Sequence, residues 1–168
     1  LIYEGEFLNG KRSGEGSEYR PNGELEFEGE YLNGKRWNGK GKEFFSNGKT
    51  EFEGEYLNRK RHGKGKEYDI DGKLRFEGEY LYSYKLRGIE YINGKIFYEG
   101  DFLYGKKWNG KVFDEYGNFI GYLRNGTGKV KEYIAFSGKL IYEGNYLNGQ
   151  RNGKGIEYIP FDGKLIYE

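Results

Sequence analysis

The sequence predicts an all-β protein: an elongated, twisted antiparallel meander of about seven stacked β-hairpins, with no helix of ordinary length. Three observations carry this. An aromatic-x-Gly-x-aromatic pattern recurs along the whole chain. Turn dipeptides, Asn-Gly above all, follow the strands so closely that no helix fits between them. Glycine (30 residues), Tyr (18) and Phe (12) far outweigh proline (2), the composition of tight turns and ring-lined strands.

The first unit, Tyr3–Gly23, justifies each element. Tyr3, Gly5 and Phe7 alternate with Glu4 and Glu6, the period of a half-buried strand. Asn9-Gly10 supplies two residues that tolerate positive φ, and GEGSEY from Gly14 runs back as a second strand. Pro21-Asn22-Gly23 turns into the next unit.

The strand glycine returns at Gly5, Gly29, Gly54, Gly78, Gly100, Gly121 and Gly144, spaced by 21 to 25 residues. Second strands repeat at Gly39, Gly63 and Gly153, and closing turns at Asn47-Gly48, Asp71-Gly72, Asn93-Gly94, Ser137-Gly138 and Asp162-Gly163. The units fall at about 1–24, 25–49, 50–73, 74–95, 96–118, 119–139 and 140–164, with an eighth opening at 165–168 on Tyr167.

A single hairpin buries too little to offset its ordering entropy, so the stability of this chain must come from stacking. Each ring is expected to meet its counterpart two strands away, lying over the small strand glycines, at about 0.5–1 kcal/mol per contact. Fifteen strands in one sheet would span about 70 Å before twisting. Leu, Ile, Val and Phe are only about a fifth of the chain, and a net charge of +1 from 33% charged residues leaves little self-repulsion. The core should be thin and aromatic.

The absence of Cys excludes a disulfide framework or a thiolate metal site. No apolar run approaches the roughly 18 residues of a membrane-spanning helix. Leu1-Ile2-Tyr3-Glu4 and Leu165-Ile166-Tyr167-Glu168 share one phase of the repeat, which reads as a segment of a longer array. Its targeting signals or partner domains are then expected outside this stretch, and a cytoplasmic or peripheral-membrane location is favoured.

Y-x-G-x-[FY]-x-N-G-K-R-x-G-x-G, at a spacing near 23, resembles the MORN repeat across residues 1–168. Tyr3, Gly5, Phe7, Asn9, Gly10, Lys11, Arg12, Gly14 and Gly16 match it, as do Phe52, Gly54, Tyr56, Arg61, His62, Gly63 and Gly65. The resemblance implies one hairpin per repeat in a groove-like sheet. It also implies non-enzymatic modules tied to membrane tethering, anionic phospholipid, cytoskeletal scaffolding or self-association, some of them attached to lipid kinases or methyltransferases. The chain departs from the motif at one place. Glu18, Glu43, Glu67 and Glu157 stand where the family has an aromatic, and Tyr19, Phe44, Tyr68 and Tyr158 follow one residue later. The preferred expectation is a bulge that returns the ring to the core, the alternative an outward row of rings offered for binding.

No catalytic constellation is visible, so the chain is read as not an enzyme, with no cofactor and no metal. Glu4, Glu28, Glu53, Glu77 and Glu99 alternate with rings and form a solvated face, with Lys40, Lys42, Lys64 and Lys66 as cross-strand partners. His62 stands alone, where other units carry Ser13, Asn38, Asn109 and Asn152, and should bond at the turn. The G-x-G triplets precede no helix and are strand glycines, not a phosphate loop.

Two surfaces remain. Hairpin turns place Lys11, Arg12, Lys35, Arg36, Arg59, Lys60, Arg61, Lys106, Lys107 and Arg151 along one edge. This basic rim either binds anionic headgroups, at about 1 kcal/mol per residue, or only keeps the edge soluble. The +1 net charge argues against nucleic acid. Units four to six relax the pattern: Tyr82–Arg87 replaces an Asn-Gly turn, Tyr104 replaces an Asn, and Val112 and Val130 replace glycines. Trp37 and Trp108 are extra residues expected to protrude from their turns. Tyr82, Tyr84 and Trp108, with Trp37, form a candidate protein-contact patch unless these units have merely drifted. The leading function is a scaffold for a protein partner or a second copy. A phospholipid adaptor, and an accessory segment of a larger enzyme, are the alternatives.

Overall fold

The computed structural model describes residues 1–134 and 137–159, and residues 165–167 as backbone. The turn expected at Asp162-Gly163, the Tyr167 ring and Glu168 lie outside the described residues. Among the described residues fifteen strands follow in chain order. They are β1 (Tyr3–Leu8), β2 (Lys11–Tyr19), β3 (Leu25–Leu32), β4 (Lys35–Phe44), β5 (Thr50–Leu57), β6 (Lys60–Tyr68), β7 (Leu74–Leu81) and β8 (Tyr84–Ile92). Then come β9 (Lys95–Leu103), β10 (Lys106–Phe113), β11 (Phe119–Leu123), β12 (Gly128–Tyr133), β13 (Leu140–Leu147), β14 (Gln150–Tyr158) and β15 (Leu165–Tyr167).

Turn chemistry sets this meander. At the β1–β2 tip Asn9 and Gly10 take φ of 50° and 73°, a type I′ turn whose twist matches that of its strands. Tips at Asn33-Gly34, Asn58-Arg59, Tyr82-Ser83, Tyr104-Gly105, Asn125-Gly126 and Asn148-Gly149 repeat it. The departure at Tyr82–Arg87 is therefore smaller than expected, since Tyr82-Ser83 alone makes the turn and Tyr84 already opens β8. Arg59 (67°) and Ser83 (72°) hold positive φ without being Gly or Asn, against a side-chain clash. Arg59→Gly and Ser83→Gly should each raise stability by about 0.5–1 kcal/mol, read as a higher urea midpoint at unchanged slope.

The chain divides into two compact units, Leu1–Gly72 with Glu79–Tyr84, and Lys73–Gly78 with Lys85–Glu168. In the first, β1 to β6 pair in chain order. Their glycines align, Gly16 opposite Gly5 on one side and Gly29 on the other. Rings from one face lie over this glycine row in edge-to-face contacts: Tyr3 with Tyr31 (5.0 Å), Phe27 with Tyr56 (6.1 Å) and Phe52 with Tyr80 (5.3 Å). These are the expected contacts two strands apart. Phe27, Tyr31, Phe52 and Tyr80 are buried.

In the second unit β8 to β11 pair in chain order, and Phe76, Tyr98 and Phe102 continue the packing. The single continuous sheet expected from the repeats is interrupted here. Among the described residues β12 to β15 form a separate four-stranded sheet, and β11 is bridged to β12 only at Arg124 and Thr127. Around this break the buried residues are Val112, Leu123 and Val130 instead of a ring over a glycine. Val112 and Val130 do take the glycines' register, opposite Gly121 and Gly144.

Candidate interaction surface

The departure from the repeat motif is resolved by a bulge that works the other way round from the expectation. The register shifts at Glu18/Tyr19, Glu43/Phe44, Glu90/Tyr91, Glu132/Tyr133 and Glu157/Tyr158. The glutamate of each step keeps the ring face: Glu18 lies opposite both Tyr3 and Phe27. The ring after it goes to the carboxylate face in several units. Tyr68 Oη donates to Glu53 (2.5 Å), Tyr91 Oη to Glu77 (2.6 Å) and Tyr158 Oη to Glu143 (3.1 Å). These rings are half-buried and hydrogen-bonded, neither core nor a bare outward row.

A carboxylate among rings needs counter-charge, and the basic residue after each hairpin tip provides it. Glu18 accepts from Arg12 (2.7 Å) on its own hairpin and from Arg36 (2.8 Å) on the next. Glu43 pairs with Arg61 (2.5 Å), Glu90 with Lys85 (3.2 Å) and Lys107 (3.0 Å), and Glu132 with Arg151 (2.8 Å). Tyr31, Tyr56 and Tyr146 donate their hydroxyls to Glu18, Glu43 and Glu132. Each cation also lies over a ring, Arg12 at 4.4 Å from the Tyr3 centroid and Arg61 at 4.1 Å from that of Phe52. The result is a repeating lattice of cation, carboxylate, tyrosine and ring. Its trace in the sequence is an Arg six residues before a Glu: Arg12–Glu18, Arg61–Glu67, Arg151–Glu157.

The expected basic rim is thereby halved. Arg12, Arg36, Arg61 and Lys107 fold onto the ring face and are neutralised there, while Lys11, Lys35, Lys60 and Lys106 stay exposed at the tips. Contrary to expectation, the tryptophans do not protrude from turns. Trp37 and Trp108 are half-buried strand residues of β4 and β10, each left over where the register shifts, and neither lies in a turn. Their carbonyls accept from the next tips, Arg59 N–H (2.8 Å) and Gly126 N–H (2.8 Å). Asn38 and Asn109 accept from the N–H groups of Asn58 and Asn125, the turn-side role expected at that position. His62 packs edge-on against Tyr82 instead. Tyr82 and Tyr84 are about half exposed and belong to the first unit, Trp108 to the second.

Burial opposes ionisation of Glu18, Glu43, Glu90 and Glu132, but their cations outweigh it and hold all four below the ordinary carboxylate value, Glu90 at about 2. Burial, with Glu18 beside it, pushes Tyr31 up to about 12. A lowered folded-state value means that the stabilisation is complete above the unfolded value of 4.5 and is lost as pH falls through the folded one. Urea midpoints should therefore be flat from pH 7 to 5 and fall below about pH 4.5, with the Glu90 share going last, near pH 2. A midpoint unchanged at pH 3 would contradict the lattice.

Among the described residues no group of three or more His, Cys, Asp or Glu is placed to hold a metal ion. The MORN-repeat family model matches residues 3–24, 27–50, 52–73 and 142–160, more than half of the 168 residues. No curated protein matches the chain.

Proposed function

The chain belongs to the MORN-repeat family, and from that premise we propose that it is a non-enzymatic scaffold binding a protein partner, a second copy included, through its hairpin tips. MORN repeats are known in scaffolds that bind proteins or membranes. The observation that carries the protein reading is strain at two tips. Tyr82 and Tyr104 occupy the positive-φ position held by Asn at the other tips, each at φ 50°. A ring there costs about 1 kcal/mol relative to Asn or Gly. Tyr104, 79% exposed, buries little in return, while Tyr82 recovers part of the cost against His62. Projecting aromatics that cost stability are what a contact surface uses.

Tyr104→Asn should leave the protein as stable or more stable, and Tyr82→Asn, which relieves the strained φ but gives up the His62 contact, should change stability little, while each weakens capture of its partner or its concentration-dependent light scattering. Capture and scattering unaffected by both changes would refute the tip reading. The lipid alternative rests on Lys11, Lys35, Lys60 and Lys106, since the inner member of each pair is already neutralised. It requires salt-sensitive sedimentation with phosphatidylserine vesicles, lost when those four become Glu. The third reading, an accessory segment of an enzyme, is tested by the full-length gene sequence.

A further inference from the structure

We propose that the cavity beside Glu90 in the second unit binds a small phosphomonoester dianion, which supplies counter-charge that the repeating lattice lacks there. The site does not depend on the tip-mediated reading.

Three arginines of the lattice each hold two carboxylates. Arg36 holds Glu18 and Glu26 (both 2.8 Å), Arg61 holds Glu43 (2.5 Å) and Glu67 (3.1 Å), and Arg151 holds Glu132 (2.8 Å) and Glu157 (2.5 Å). At Glu90 two lysines, Lys85 and Lys107, converge on one carboxylate instead. Two changes in the sequence thin out the acidic partners. Glu26 stands three residues before the strand glycine Gly29, but Arg75 takes that place before Gly78 and Phe97 takes it before Gly100. Glu43 lies four residues after Gly39, and Asp114 four after Gly110. Asp114, however, accepts from the N–H groups of Tyr116 (2.9 Å) and Asn118 (2.8 Å) in its own turn.

A cavity of about 340 Å³ opens at this shortage, with Arg75, Lys85, Lys106, Lys107, Glu90 and Glu132 in its wall. All six belong to the second unit. Glu132 is held by Arg151 and by Tyr146 Oη (2.7 Å), and Glu90 by its two lysines, so neither carboxylate sets the sign of the cavity. Arg75 and Lys106 have no ion-pair partner among the described residues. Phe97 and Tyr133, ring centroids 5.2 Å apart, also line it, and charges beside such partly buried walls are screened less than those at an open surface.

Two unpaired cations call for two negative charges. A guanidinium fork together with lysine ammonium groups is the donor set that phosphate oxygens take. The volume lies at the lower end of small-ligand sites, enough for a phosphate carrying a short ester group.

The test titrates inorganic phosphate, and separately glycerol phosphate, into the 15N-labelled chain at about pH 7.5, where both are largely dianionic. Chloride at equal ionic strength is the reference. Saturable amide shifts at Arg75, Lys85, Lys106 and Lys107 are expected, without matching shifts at Lys11, Lys35 and Lys60. Arg75→Glu, which restores the carboxylate found at Glu26, should weaken binding at least about tenfold and raise the urea midpoint in chloride. Phosphate strengthens any fold by exclusion, so this variant separates binding from the salt effect. No saturable shift, binding that survives Arg75→Glu, or a lower midpoint for that variant overturns the site. So does a response to phosphatidic acid vesicles with none to inorganic phosphate, which would mean a membrane surface, and so do equal shifts at Lys11, Lys35 and Lys60. Tyr82 and Tyr104 take no part, so each of these failures leaves the tip-mediated scaffold standing.

Discussion

Replacing Phe52 by alanine is expected to cost about 3–5 kcal/mol, the largest single-residue loss in the first unit. Its ring is fully buried. It meets Tyr56 at 5.7 Å and Tyr80 at 5.3 Å, lies above Gly54 and Gly65, and has the Arg61 guanidinium over its outer face. A single layer of strands has no second sheet to collapse into the space, so the cavity term is felt in full. Arg61 would also lose the ring beneath it while keeping Glu43 and Glu67. Because stacked repeats contact mainly their neighbours, the loss should be local. Hydrogen exchange in β5 and β6 would rise well above that in β13 and β14. Uniform loss of protection across both units would speak against a stacked array.

Adding a methyl under that same ring should cost about 2–3 kcal/mol, and the two glycines below it should respond differently to repair. At Gly54 a Cβ would lie 2.7 Å from the Phe52 ring, 2.7 Å from the Lys64 carbonyl oxygen and 2.8 Å from the Gly65 Cα. At Gly65 it would meet side chains, Phe52 at 2.7 Å and Tyr80 at 3.1 Å. Gly65→Ala should therefore be largely relieved once Phe52 is already alanine. Gly54→Ala should not, because backbone cannot rotate away. Urea denaturation of the four-member cycle Phe52→Ala with Gly65→Ala should show coupling above about 1 kcal/mol, and the Gly54 cycle much less. Equal coupling in the two cycles would refute the ring-over-glycine account.

Much of the fold was legible because its determinants are local. Asn9-Gly10 tolerates positive φ whatever surrounds it, and the 21 to 25 residue spacing of the strand glycines is a property of the chain alone. The ring contacts two strands apart, such as Tyr3 with Tyr31, follow from the same periodicity. The candidate site was legible only in part. Lys11 and Arg12 are neighbours in sequence and look alike as rim residues. Arg12 turns inward because Glu18 waits there, and Lys11, on the opposite parity, does not.

Whether Tyr19 or Glu18 would join the rings was open in the sequence, since either fits a strand there. The cross-strand register settled it, by shifting at that step and setting Glu18 opposite Tyr3 and Phe27. The break between β11 and β12 was likewise hidden, because Val130 reads as a drifted glycine until its burial and neighbours are seen. Residue order alone dictates the all-β class, the turns and the repeat, since each depends on the backbone preferences of adjacent residues. Which charges are spent inside, which stay outside and where the sheet opens depend on residues 6 to 18 positions apart meeting across strands, as Arg12, Glu18 and Arg36 do, and only the tertiary structure decides that.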